Sequence, residues 1–142
     1  MLFGGAIDWR ASKQKTVTTS STEAELLALS NAASEMIWWK RVFNDISLDL
    51  EENSPLQSDN LQTIRLLVRN GFKLNTRLRH VDIHRHWLRQ EVQRGHINVD
   101  WVPTTAMIAD GFTKPLPRQR FESFIQQLNM EDIQEQISLS CS

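Results

Sequence analysis

The chain contains one cysteine, five glycines and four prolines among its 142 residues. Cys141 is the single thiol, so no disulfide can form within the chain, and a reducing compartment fits. No apolar run approaches the length of a membrane span. The opening Met1–Leu2–Phe3–Gly4–Gly5 lacks the basic segment and longer apolar stretch of a signal peptide, so an intracellular, cytoplasmic location is expected. A glycine-rich phosphate loop, internal repeats and low-complexity segments are also lacking. With so few turn residues and 40% apolar content, the composition is neither collagen-like nor disordered.

Net charge is scarce too. Sixteen basic residues face 17 acidic ones, a formal −1, which argues against a chain that simply adheres to nucleic acid. The distribution is uneven, however. Between Leu61 and His96 there are eight basic residues and two acids, a net of +6, which leaves −7 for the remainder. Arg65, Arg69, Lys73, Arg77, Arg79, Arg85, Arg89 and Arg94 make up the basic set, and His80, His84 and His86 lie among them.

Leu2–Phe3, Gly4–Gly5 and Ala6–Arg10 read as the end of one strand, a tight turn and a second strand. Ser20–Ser21–Thr22–Glu23 has capping-box spacing and opens a helix to about Asn44, with Leu26, Leu29, Ala33, Ile37 and Val42 inward and Trp38 and Trp39 packing beside them. Pro55–Asp59 fits a short strand ending on an acid. Asn60 is a good N-cap for a helix over Leu61–Asn70, stopped by Gly71. A third helix fits Arg77–Arg94, with Leu78, Val81, Trp87, Leu88 and Val92 inward and the arginines outward. Ile97, Val99 and Trp101 alternate with polar residues as a strand does. A loop or short helix over Thr104–Thr113 carries Asp110, and Pro117 suits the first turn of a last helix to about Leu128. The tail beyond is polar. Helices interleaved with strands predict a mixed α/β fold with crossovers and a partly parallel sheet. Residues 1–128 form the expected domain and 129–142 the tail.

Three acids could carry chemistry: Glu25 in the first turn of the long helix, Asp59 at the carboxyl end of a short strand, and Asp110 beyond the second strand. In open α/β sheets ligands gather at the carboxyl ends of strands. Carboxylates converging there without cysteine suit Mg²⁺ or Mn²⁺, and two such ions could drive phosphodiester hydrolysis. Ordinary structural duties compete. Glu25 could be the N3 acid of a box capped by Thr22, Asp59 an Asx-turn residue, and Asp110 part of a turn with Gly111. His80 and His84 share a helix face, but the residues between them lack a metalloprotease glutamate, and a solvated basic face is the better reading. The arginines suit a phosphate backbone. Cys141 has no nearby base and is not a credible nucleophile.

Taken together, Asp8–Lys15, Ser20–Glu25, Asp59–Asn60, Arg79–Ile83, Trp101–Thr104 and Ala109–Leu116 stand in the order of one family's motifs. The chain resembles, from about Leu2 to Leu128, the ribonuclease H domain at the C-terminal end of the Pol polyprotein of copia-type LTR retrotransposons. That resemblance implies a ribonuclease H-like five-stranded mixed sheet flanked by helices. It also implies two-metal cleavage of the RNA strand of RNA–DNA hybrids during reverse transcription, with Glu25, Asp59 and Asp110 as ligands of two Mg²⁺ or Mn²⁺ ions. Expected partners are the hybrid, held through Arg65, Arg69, Lys73, Arg77, Arg79, His80, Arg85 and Arg89, and the reverse transcriptase portion of the polyprotein within a cytoplasmic virus-like particle. The family has a fourth carboxylate on its first, central strand, upstream of where this chain begins, and Asp8 aligns on the third strand instead. The expectation is thus an N-terminally truncated domain with weak or no nuclease activity by itself, self-associating through an open sheet. Two other readings remain: a non-catalytic remnant that binds nucleic acid, or a protein-binding module built on Trp38–Trp39 and the tail.

Overall fold

Ser20 begins the longest element of the computed structural model, which describes residues 6, 8–11, 18, 20–48, 55–68 and 78–130. Its hydroxyl accepts a hydrogen bond from the Glu23 amide at 3.2 Å, the capping interaction that the sequence predicts. From there α1 runs over Ser21–Asp45. Asn60 starts α2 (Leu61–Val68) in the same manner, its side-chain oxygen accepting from the amides of Gln62 at 3.0 Å and Thr63 at 3.1 Å. The third helix, α3 (Arg79–Gln93), ends at Arg94 and Gly95, where a φ of +74° suits glycine.

Two short strands, β1 (Leu56–Ser58) and β2 (Val99–Trp101), pair in parallel with Leu56 opposite Val99 and Ser58 opposite Trp101. Parallel neighbours need a crossover, and α2 and α3 provide it. Beyond these pairs the ladder continues through Leu56 N–H to Asn98 O at 2.8 Å and Val102 N–H to Ser58 O at 3.0 Å. The mixed α/β expectation and its parallel pairing hold. Among the described residues the sheet has these two strands.

By chain contacts the molecule divides into two units. The larger, Lys13–Met107, contains α1 to α3 and the sheet. Its core joins Leu26, Leu27, Leu29 and Ala33 of α1 to Leu67 of α2, Val81 and Leu88 of α3, and Ile97 ahead of β2. Met36, Ile37, Leu78, Trp87 and Val92 pack against this cluster. These are positions that helical periodicity places inward, because i, i+3 and i+4 share one face. Two expectations fail here. Arg85 is buried rather than outward, because Asp82 one turn earlier accepts its guanidinium at 2.9 Å and removes the cost of an isolated charge. Trp38 is 53% exposed; it meets Trp39 edge-on at 4.9 Å while Trp39 stacks on Phe43 at 5.5 Å.

The smaller unit takes Met1–Ser12 and Ile108–Ser142. Within its described part, a 3₁₀ turn over Ile108–Phe112 leads to α4 (Arg118–Gln127), with Pro117 at the N-cap, just ahead of the first turn where the sequence suggests it. Phe112 stacks on Trp9 at 6.1 Å and meets Phe124 edge-on at 5.0 Å. Of the expected N-terminal hairpin, Leu2–Gly5 and Ile7 lie outside the described residues, as does the tail from 131 onward.

Candidate active site

The capping geometry settles what Glu25 does not do. Glu23 is the acid that follows the Ser20 cap, and it is buried, so Glu25 has no duty in a box headed by Thr22. Two residues further along α1, Glu25 is half-buried and its Oε1 accepts a hydrogen bond from the Ser58 hydroxyl at 2.9 Å. Ser58 is fully buried at the end of β1, and its Oγ also accepts from the Asn60 amide at 3.2 Å. A single hydroxyl thus fastens the first turns of α1 to the turn that carries Asp59.

Asp59 is held from two directions. Its backbone carbonyl accepts from the Trp101 indole at 3.2 Å, and its Oδ2 accepts from the Thr104 hydroxyl at 2.8 Å. Because β1 and β2 are parallel, Ser58–Asp59 and Trp101–Thr104 leave the sheet at the same, carboxyl end, where open α/β sheets place their ligands. The N-cap role belongs to Asn60, so the Asx-turn reading of Asp59 also lapses.

Asp110 belongs to the other unit, in the 3₁₀ turn Ile108–Phe112. Its Oδ2 receives the Lys114 ammonium at 2.7 Å, and its carbonyl accepts from the Thr113 amide at 3.1 Å. Gly111 beside it is obligatory for packing, since a Cβ there would overlap the ring of Phe124.

The donor set around Ser58 is oxygen alone, which suits a hard cation such as Mg²⁺. Glu25 and Asp59 each commit one carboxylate oxygen to a hydroxyl, and neither is in an ion pair among the described residues. Two carboxylates are enough for one Mg²⁺ that keeps water or phosphate as its other ligands. Among the described residues no three His, Cys, Asp or Glu side chains are gathered to hold a metal ion. His84 Nδ1 meets the Ser30 hydroxyl at 2.8 Å, and no metal-binding group among the described residues includes His80 or His84. His80 keeps a buried Nε2 with no hydrogen-bond partner among the described residues.

The expected phosphate contacts divide. Arg65 and Arg79 are exposed and have no ion-pair partner among the described residues. Arg89 and His80 are half-buried, and Arg85 is buried in its pair with Asp82. Arg69, Lys73 and Arg77 lie outside the described residues. Sequence reasoning missed Ser58 and Thr104 as partners of the acids. A hydroxyl residue at the carboxyl end of each of two strands predicted to run parallel was the available signal.

No family model and no solved structure matches this chain. Curated relatives are similar to it over most of its length. It is 34% identical over 124 residues to the retrovirus-related Pol polyprotein from transposon RE1 of Arabidopsis thaliana, covering 87% of this chain and 8% of the relative. It is 35% identical over 119 residues to that from transposon TNT 1-94 of Nicotiana tabacum, covering 84% and 9%. The Ty1-JR2 Gag-Pol polyprotein of Saccharomyces cerevisiae is 30% identical over 128 residues, covering 86% and 7%. The chain's homologues are retrotransposon Pol polyproteins, and it spans less than a tenth of their length. Among the described residues no helix is long and apolar enough to cross a membrane.

Proposed function

We propose that this chain is a ribonuclease H-type domain that acts within a Pol polyprotein and hydrolyses the RNA strand of RNA–DNA hybrids, using divalent ions held by Glu25 and Asp59. One observation carries the proposal. Glu25 and the turn bearing Asp59 are tied together by the buried Ser58 hydroxyl at the carboxyl end of a parallel strand pair. Homology to Pol polyproteins supports the same reading.

The chain's own residues divide the work. Ser58 fixes the rotamer of Glu25, and Thr104 fixes that of Asp59, so the remaining oxygen of each carboxylate has a set direction. Within the smaller unit, Lys114 pairs with Asp110 through Oδ2 at 2.7 Å. Mg²⁺, when bound, supplies the Lewis acidity that activates water and stabilises the leaving oxygen. Arg65 and Arg79 are free to contact phosphates, which position the hybrid without reading its sequence. Contact with 2′-hydroxyls would select the RNA strand.

A second reading, binding of nucleic acid without cleavage, is favoured by the lack of a gathered three-ligand set among the described residues. One experiment separates the two. Labelled RNA–DNA hybrid is incubated with the protein and Mg²⁺, beside the Asp59→Asn variant. The proposal predicts slow, Mg²⁺-dependent nicking of the RNA strand, reduced at least about a hundredfold in the variant. Retention of the hybrid with no Mg²⁺-dependent cleavage would replace it with the second reading.

A further inference from the structure

The C-terminal halves of α1 and α3 line an open cleft of about 1060 Å³ within the larger unit. Lys40 and Arg41 line it from α1, and Trp87, Glu91, Arg94 and His96 line it from α3 and the turn after it. Glu91 is the one acid among the lining residues, and its charge is already spent. It accepts from His96 Nδ1 at 2.8 Å and Arg94 Nη1 at 3.2 Å. Those bonds also fix Arg94 and His96 in the wall. Lys40 and Arg41 have no ion-pair partner among the described residues, so the cleft presents uncompensated positive charge. Asn44 and Asn98 add amide groups at its rim. Trp87 packs partly on the core and adds an aromatic surface to the same lining as the cations.

We infer that this cleft binds a single-stranded nucleic acid segment, with phosphates on Lys40 and Arg41 and a base against Trp87. Uncompensated cations interleaved with an aromatic side chain match how single strands are held without sequence reading. Support of the helix macrodipole does not account for the cations, because neither Lys40 nor Arg41 is in the last turn of α1. The cleft is also separate from the carboxylates. Glu25 and Arg41 are sixteen residues apart on one helix, which corresponds to about 24 Å. The site is therefore positive where the candidate nuclease site is acidic, and it stands whether or not the chain cleaves hybrids.

Fluorescence anisotropy with labelled (dT)20 in EDTA tests it without any catalytic step. The double substitution Lys40→Gln/Arg41→Gln should weaken binding about tenfold and lower the slope of log affinity against log salt by about 1.4, two single-strand phosphate contacts. Glu25→Gln and Asp59→Asn should leave binding unchanged, which separates this outcome from the fate of the nuclease reading. An abasic strand of equal length should bind about tenfold more weakly than (dT)20, because it keeps the phosphates and loses stacking. Strands carrying 5-iodouracil should photo-cross-link to Trp87, a readout that needs no variant. Unchanged affinity and salt slope in the double variant, equal binding of the abasic strand, or cross-links confined to other elements would overturn the inference.

Discussion

Replacing Ser58 with alanine removes one oxygen atom and breaks both links that this hydroxyl makes. It donates to a carboxylate, Glu25, at 2.9 Å and accepts from the Asn60 amide at 3.2 Å, from a position with no solvent exposure. Hydrogen bonds to charged groups are worth about 1.5–3 kcal/mol net, and a neutral one about 1 kcal/mol. Glu25 is half-buried and can recover a water, so its share falls toward the low end. The expected loss for Ser58→Ala is about 2 kcal/mol, with little cavity penalty because the side chain shrinks by a single atom. Urea unfolding measures it as a lower midpoint at constant slope. The specific claim is coupling to Glu25, so a double-mutant cycle with Glu25→Ala should return an interaction energy of about 1 kcal/mol. A loss under about 0.5 kcal/mol, or strict additivity of the two substitutions, would refute the reasoning that Ser58 ties the two elements together.

Two other perturbations have defined outcomes. Gly111→Ala places a methyl group inside the ring of Phe124, and overpacking of this kind costs about 1–3 kcal/mol; the near-ultraviolet signal of the Trp9–Phe112–Phe124 cluster should weaken, and adding Phe124→Leu should restore part of the stability. Glu91→Gln tests a pH dependence. The hydrogen bond from His96 holds the Glu91 carboxyl below its ordinary value of 4.5, reinforced by the charges of His96 and Arg94 and opposed by burial. A depressed folded-state value means that the stabilisation is present above the ordinary carboxylate range and is lost as pH falls through the folded value. Wild type should therefore exceed the variant by about 1 kcal/mol near neutrality, with the difference disappearing in acid; a gap independent of pH would contradict this origin.

Local signals in the sequence account for much of the larger unit. Caps are readable because a serine or asparagine satisfies amides only two or three residues away, as Ser20 and Asn60 do. The inward faces of α1 and α3 follow from spacing, with Leu26, Leu29, Ala33, Val81 and Leu88 all in the core. Parallel pairing of β1 and β2 follows from the helices between them. Side-chain pairings were not readable. Arg85 is buried because Asp82 neutralises it, which a count of arginines cannot anticipate. Neither the link from Ser58 to Glu25 nor that from Thr104 to Asp59 leaves a periodic trace, since each spans more than thirty residues. Spacing alone left Glu25 open between a metal ligand and a capping residue, and the resemblance favoured the ligand.

The central claim is that Glu25 and Asp59 act together as ligands of a divalent cation. A Mg²⁺ titration of ¹³C-labelled protein, followed through side-chain carboxyl carbons assigned by Glu25→Gln and Asp59→Asn, tests it most directly. Both resonances should move along one saturating curve, and Asp59→Asn should abolish the movement at Glu25. If neither resonance responds to Mg²⁺, or each responds with its own unsaturating dependence, the two carboxylates do not form a metal site and the claim fails.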